Sequence, residues 1–309
     1  MTLDQLRAFV AVVEHGSIRA AARSLDLAQS GLTQQIKRLE ASLGASLFAR
    51  GNRGIVLTGP GEALLARSRI ILGECERTEQ EFQSFQGNPV GSMNVGVSSE
   101  AFARVVPPVL RAFRQRFPSF SVHLASGPSS SLLSGIREGR LDFALTLVSR
   151  KTDMTDLTST RLTKSDPVIV CRLGHPKEKA RSIKSLVDCE WVNTRPPGQA
   201  GLPSNRLVDL FHNAGLETPN IVVTVESLYD TLNLVSRTDL LFLAPRIALE
   251  QEGFMDALRE IRLAEAIPAA DLCLVQRTAV PLPPITGEFA KMLISYSRML
   301  RKGAAEGSA

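Results

Sequence analysis

The chain has 309 residues, 44% hydrophobic and 22% charged, with 36 Lys and Arg against 31 Asp and Glu for a net charge of +5. That length calls for two or three units, each able to bury a core, and the mixed charge excludes a disordered chain. No apolar run approaches the roughly 18 residues of a membrane-spanning helix, and the start, amphipathic from Leu3, lacks a signal-peptide core, so a cytoplasmic protein with no membrane partner is expected. Mild basicity permits a nucleic-acid partner without demanding one.

From the N-terminus, Leu3, Leu6, Val10 and Val13, with Phe9 beside them, recur at helical spacing until His15-Gly16. Ser17 stands where an N-cap belongs, ahead of Ile18, Ala21, Ala22 and Leu25, and the small pair admits a close neighbour. A second run, Leu32, Ile36, Leu39 and Leu43, makes one apolar stripe, closed by Gly44. Its other face carries Ser30, Thr33, Gln34, Lys37 and Arg38, with Gln29 at its start. Hydroxyls, amides and cations are the groups that meet base edges and phosphates, although such a face also suits plain solvent. Two short helices and a tight turn make a helix-turn-helix, with the second helix as the reader. Residues 47–58 then form a hairpin turning at Gly51-Asn52-Arg53-Gly54, which would set Arg50 and Arg53 as a wing on phosphate or in the minor groove.

Pro60 opens a long helix over 60–87, in which Leu64, Ile71, Cys75, Thr78, Phe82 and Phe85 fall on heptad spacing. A second copy of the helix is the simplest cover for that seam, so a homodimer is expected. Paired reading helices about one DNA turn apart would read a palindromic operator in double-stranded DNA.

Gly87-Asn88-Pro89 with Gly91 marks a boundary, beyond which strands and helices alternate as in a parallel α/β sheet. Strands are expected at 93–98, 120–125, 142–148, 166–172, 190–193, 221–225, 240–244 and 271–277. Helices are expected near 101–116, 130–138, 203–214, 227–236, 246–252 and 286–302. The last strand and helix look like a return to the first half, which gives two lobes joined by two crossings. The expected organisation is a DNA-binding domain over 1–59, a dimerising linker helix over 60–89 and an effector domain over 90–309. One lobe of the latter takes about 90–163 and 268–309, the other about 164–267.

A ligand in such a fold belongs in the crevice at the carboxyl ends of the strands. Ser98, Ser99 and Glu100 open a helix there; Gly127 and Ser129 follow the second strand, and Thr146 lies near the end of the third. In the other lobe Thr194 and Arg195 follow the strand holding Trp191, while Glu226 and Ser227 precede a helix. The fork of Arg195 suits a carboxylate or sulfonate, although the same residue would serve as a loop arginine and each serine as a simple N-cap.

Catalytic signals are missing. His15, His123, His175 and His212 are scattered, and no P-loop, nucleophile elbow or dinucleotide fingerprint occurs, so no catalytic residue, metal site or cofactor is assigned. Cys75, Cys171, Cys189 and Cys273 show no CxxC and no close His, which argues against zinc or a disulfide framework. A redox-responsive pair, Cys171 and Cys189, is kept as an alternative. An enzyme or a solute-binding protein built on the α/β region would leave the first sixty or so residues without a purpose.

Three stretches, LDQLRAFVAVVEHGSIRAAARSL (3–25), LAQSGLTQQIKRLEASLGASLFAR (27–50) and NRGIVLTGPGEALL (52–65), together resemble the LysR-type bacterial transcriptional regulators, and REGRLDFALT (137–146) resembles their effector domain. Family members commonly carry Pro, Ala and often Arg where this chain has Ser30, Gly31 and Gln34, so a relative's operator does not transfer. The resemblance implies a multidomain protein: an all-α winged helix-turn-helix, a linker helix that pairs subunits, and a two-lobed α/β effector domain of periplasmic-binding-protein type. It also implies tetramers that bend DNA, RNA polymerase as a further candidate partner, and a small-molecule effector. On this reading Gln29, Thr33 and Gln34, with Ser30 beside them, contact bases, Arg19, Lys37, Arg50 and Arg53 contact phosphate, and Ser17 joins them as a DNA-binding residue.

Overall fold

Asp26 sets the angle of the reading helix. In the computed structural model, which describes residues 1–51, 54–85, 90–194, 206–250 and 253–306, α1 (Leu3–His15), α2 (Ile18–Ser24) and α3 (Gln29–Leu43) pack against one another. Asp26 follows α2 at φ 53°, the N–H of Leu27 donates to the Ala22 carbonyl (2.9 Å) and that of Asp26 to the Arg23 carbonyl (3.4 Å). This is a Schellman closure with Asp where Gly is usual. The turn delivers Leu32, Ile36 and Leu39 of α3 into one core with Phe9, Val12, Ala21, Ala22 and Leu47.

Strands β1 (Phe48–Gly51) and β2 (Gly54–Leu57) pair antiparallel as the wing. Helix α4 (Gly59–Phe85) starts beside it: Thr58 Oγ1 accepts from the Gly61 N–H, and any side chain at Gly61 would strike the Leu47 carbonyl. Leu64, Leu65 and Leu72 pack on the head core, so Leu64, expected in the heptad seam, instead anchors α4 to its own head. Ile71 and Phe82 remain 36% and 65% exposed.

The chain forms two compact units, residues 1–91 with 137–140, and residues 92–136 with 141–309. The second unit contains β3 (Gly91–Val97), α5 (Ser99–Arg104), α6 (Val106–Arg116), β4 (Phe120–Ser126), α7 (Ser129–Arg137), β5 (Phe143–Val148) and β6 (Leu157–Lys164). After a crossing come β7 (Pro167–Arg172), β8 (Glu190–Asn193), α8 (Arg206–Asn213), β9 (Asn220–Thr224), α9 (Leu228–Val235), β10 (Phe242–Pro245) and β11 (Leu258–Ile261). The chain then returns as β12 (Asp271–Arg277) and α10 (Pro284–Glu306).

The first lobe is a five-stranded sheet in the order β4-β3-β5-β12-β6. Here the expectation of a parallel sheet is corrected: β3 and β5 are parallel, but the returning β12 runs antiparallel to both β5 and β6. In the second lobe β10-β7-β11 is antiparallel and β8-β9 parallel. The helix expected over 101–116 is two, α5 and α6, because Pro107 and Pro108 fit only a helix start and cannot continue one. Residues expected as a helix near 246–252 form a 3-10 turn, Arg246–Glu250. Each lobe has its own aromatic centre: Phe113, Phe120, Phe143 and Phe289 in the first, Trp191 edge-on to Phe211 (5.7 Å) in the second.

If the left-handed Asp26 sets the turn, Asp26→Val should destabilise the protein by roughly 1–2 kcal/mol, while Asp26→Gly should match or exceed the wild type. Urea unfolding followed by circular dichroism measures both; identical midpoints for Asp26→Val and wild type would place the turn's control elsewhere.

Candidate functional site

Burial of one stripe of α3 fixes what the other side presents. Gln29, Ser30, Gln34, Lys37 and Arg38 are exposed, and Thr33 is half-buried. Thr33 Oγ1 donates its proton to the Gln29 carbonyl (2.8 Å), which leaves the side chain to a base edge as an acceptor and a methyl group. The residue before α3 is Ala28, which supplies no side-chain cap, so the first amides of α3 have no side-chain acceptor and suit phosphate. Ser17 caps α2 by accepting from the Ala20 N–H (3.1 Å), and Arg19 beside it is exposed. The Arg50 side chain and Arg53 lie outside the described residues.

The second site is a crevice of about 790 Å³ between the lobes of residues 92–309. Ser98, Ser99, Glu100, Gly127 and Ser129 line it from the first lobe; Thr194, Glu226 and Ser227 line it from the second. Thr146 does not. It is buried within β5 opposite Cys273, and the alternation of the strand gives the wall to Leu147, with Ser149 and Thr152 beyond it. Arg195 lies outside the described residues. Ser98 and Ser227 each accept from the backbone N–H three residues on, those of Ala101 and Asp230, so both hydroxyls already cap their helices.

Sequence reasoning missed the residues that organise this crevice. Arg206, the first residue of α8, donates from Nε to the Pro268 carbonyl (3.0 Å) and from Nη1 to Ser165 Oγ (3.1 Å). Its Nη2 is buried with no partner among the described residues. Ser165, on the outgoing crossing, donates from Oγ to Glu100 Oε2 (2.8 Å), and its N–H donates to the Ala270 carbonyl (3.0 Å) on the returning one. Glu100 is 4% exposed. Burial raises its carboxyl above the usual range, opposed by the Ser165 hydrogen bond and by Arg104 and Arg206. Burial also works against the charge of Arg206, which Glu100 favours. At the mouth, Phe102 from one lobe and Tyr229 from the other are exposed apolar surfaces lining the same space. The one available signal was position: Ser165 at the predicted crossing, and Arg206 at the start of a predicted helix.

The thiols of Cys171 and Cys189 share one core region, and burial pushes Cys171 up to about 12 and Cys189 upward as well. That is opposite to the depressed value of a reactive thiolate.

Residues 3–62 match the family described as bacterial regulatory helix-turn-helix protein, lysR family, and residues 86–298 match the LysR substrate binding domain. The HTH-type transcriptional regulator TdcA of Escherichia coli (strain K12) is 31% identical over 306 residues, 98% of this chain and 96% of that protein. A probable hydrogen peroxide-inducible genes activator of Streptomyces viridosporus is 29% identical over 286 residues, 90% of this chain and 88% of that one. The crystal structure of CbnR, a LysR family transcriptional regulator, has the same fold, with a TM-score of 0.66 at 23% identity over 96% of this chain and 99% of CbnR. CbnR complexed with its target DNA gives 0.64 at 23% identity over 96% and 100%.

A carboxyl raised in the folded state stabilises the protein fully below its unfolded value and loses that contribution as pH rises through the folded value. Glu100→Gln should therefore gain stability over the wild type as pH rises from 4.5 through the range in which the buried carboxyl ionises, and level off beyond it. Thermal melts across that range check it; a difference constant with pH would mean Glu100 is not the buried acid described.

Proposed function

The chain belongs to the LysR family of DNA-binding transcription regulators with an effector-binding domain, and from that premise we propose how its two sites act. Residues 1–91 read double-stranded DNA through the exposed face of α3, and the crevice takes a small organic anion that governs this reading. The observation that carries the DNA half is the division of α3 into a buried Leu32, Ile36 and Leu39 stripe and an exposed Ser30, Gln34 and Lys37 face. For the crevice, Arg206 is the cation among its described lining residues, and Ser99, Ser126, Ser129, Ser149 and Thr152 add neutral hydroxyls around it. On sequence grounds Arg195 adds a second guanidinium. CbnR, with its target DNA, supports the duplex as partner.

Exposed Ile71 and Phe82 on α4 favour a second copy as their cover, hence a homodimer on a palindromic operator and, as the family resemblance implies, a homotetramer. RNA polymerase is a further partner on this reading. A cytoplasmic site of action follows from a chromosomal target, and no helix among the described residues is long and apolar enough to cross a membrane. The reading assigns the protein no catalytic step and no cofactor. The anion acts only through its difference in affinity between two states of the protein.

Thr33→Ala and Gln34→Ala should each cost about 1–3 kcal/mol on an operator selected from randomised DNA and almost nothing on scrambled duplex. Lys37→Ala should weaken both and flatten the salt dependence. Anisotropy titrations at several salt concentrations decide between these, and equal losses of Thr33→Ala on both duplexes would remove α3 as the reader.

For the crevice, small carboxylates and sulfonates should raise the melting temperature. Arg206→Ala should weaken the bound anion by about 10-fold or more, the worth of a charge-assisted hydrogen bond. Full affinity in Arg206→Ala would put the anion elsewhere.

A further inference from the structure

The mixed charge at the hinge has a consequence for how an anion enters. Arg206 and Glu100 line one crevice, from opposite lobes, and are joined through a single hydroxyl, Ser165, that accepts from the cation and donates to the carboxylate. Around Glu100 stand Arg104 on its own helix, Arg206 from α8 and Asp166 on the crossing, and Glu226 lines the same crevice from the second lobe. The 3-10 turn packed against α5 contributes Arg246, which is held by Asp166 and Glu260, and Glu250, which is exposed at its far end. Glu100 thus shares the crevice's described cation with any anion that arrives. Two negative groups in one desolvated space do not both stay ionised when one of them already resists ionisation.

Resting on the anion reading of the crevice, we propose that the anion binds together with one proton, which Glu100 takes up from solvent. The charge balance is complete: one negative charge enters with the anion, and one is removed at the carboxylate. Ser165 then reverses its role at Glu100 or keeps it at the unprotonated oxygen, and Arg206, bonded to Ser165 and not to Glu100, is left to balance the charge of the anion, with its Nη2 still without a partner among the described residues. By linkage the anion raises the proton affinity of Glu100 by the factor with which the proton raises the affinity for the anion. The regulator would answer to its effector more strongly as the surrounding pH falls.

The test uses the full chain with phenylmethanesulfonate, which stays anionic throughout, and succinate as a dicarboxylate. Calorimetry in two amine buffers of different ionisation heat, which add no competing oxyanion, separates the heat of proton exchange. The wild type should take up close to one proton per bound phenylmethanesulfonate at the midpoint of the response. Its affinity should fall toward tenfold per pH unit above the range in which free Glu100 titrates. Glu100→Gln should bind with no proton uptake and a flat pH profile. Wild-type binding with equal heats in both buffers and no pH dependence would overturn the proposal while leaving the anion reading standing, and this result needs no variant. A slope that survives in Glu100→Gln would move the proton to another group and overturn it equally. Absence of binding by either probe at every pH would overturn the anion reading, and this inference with it.

Discussion

Closing two chain crossings over buried polar groups is the constraint on which the effector unit depends. Residues 92–136 and 141–309 form two lobes whose chain passes between them near Ser165 and again near Pro268–Ala270. A buried carboxylate left alone at such a junction would be strongly unfavourable, as would unpaired backbone groups. One hydroxyl and one guanidinium answer both needs: Ser165 joins the crossings by its N–H and reaches Glu100 by its Oγ, while Arg206 holds Pro268 and Ser165. The hinge and the ligand crevice are therefore built from the same side chains.

The head follows a different logic. Its core is small, and the packing of Ala21 and Ala22 against α1 and α3 leaves little room for alternative arrangements. A rigid head suits a reader, because base contacts discriminate only when side chains such as Gln34 are delivered in fixed register. The two units have separate cores.

The parts legible in the sequence were those coded by local periodicity. The stripe of α3, the Ser17 cap and the wing hairpin each rest on residues close to one another in sequence. Strands β6 and β11 escaped notice because both are short of apolar residues and lie antiparallel at sheet edges, where half of each strand faces water. Thr146 was misplaced because the end of a strand was taken as one polar position, while a shift of one residue changes the face. Arg206 was invisible for a plainer reason: its partners, Ser165 and Pro268, lie 41 and 62 residues away. Long-range pairing of a single arginine leaves no pattern in a window of sequence.

On the function proposed above, ligand occupancy of the crevice controls how a pair of α3 helices reads DNA. Hydroxyl-radical footprinting of the full chain on its selected operator, with and without an anion that raises its melting temperature, tests this most directly. Two protected half-sites are expected about one helical turn apart, or a multiple of it, with an extent or spacing that changes when the anion is added. A single unpaired protected site, or a footprint that the bound anion leaves unaltered, would contradict it.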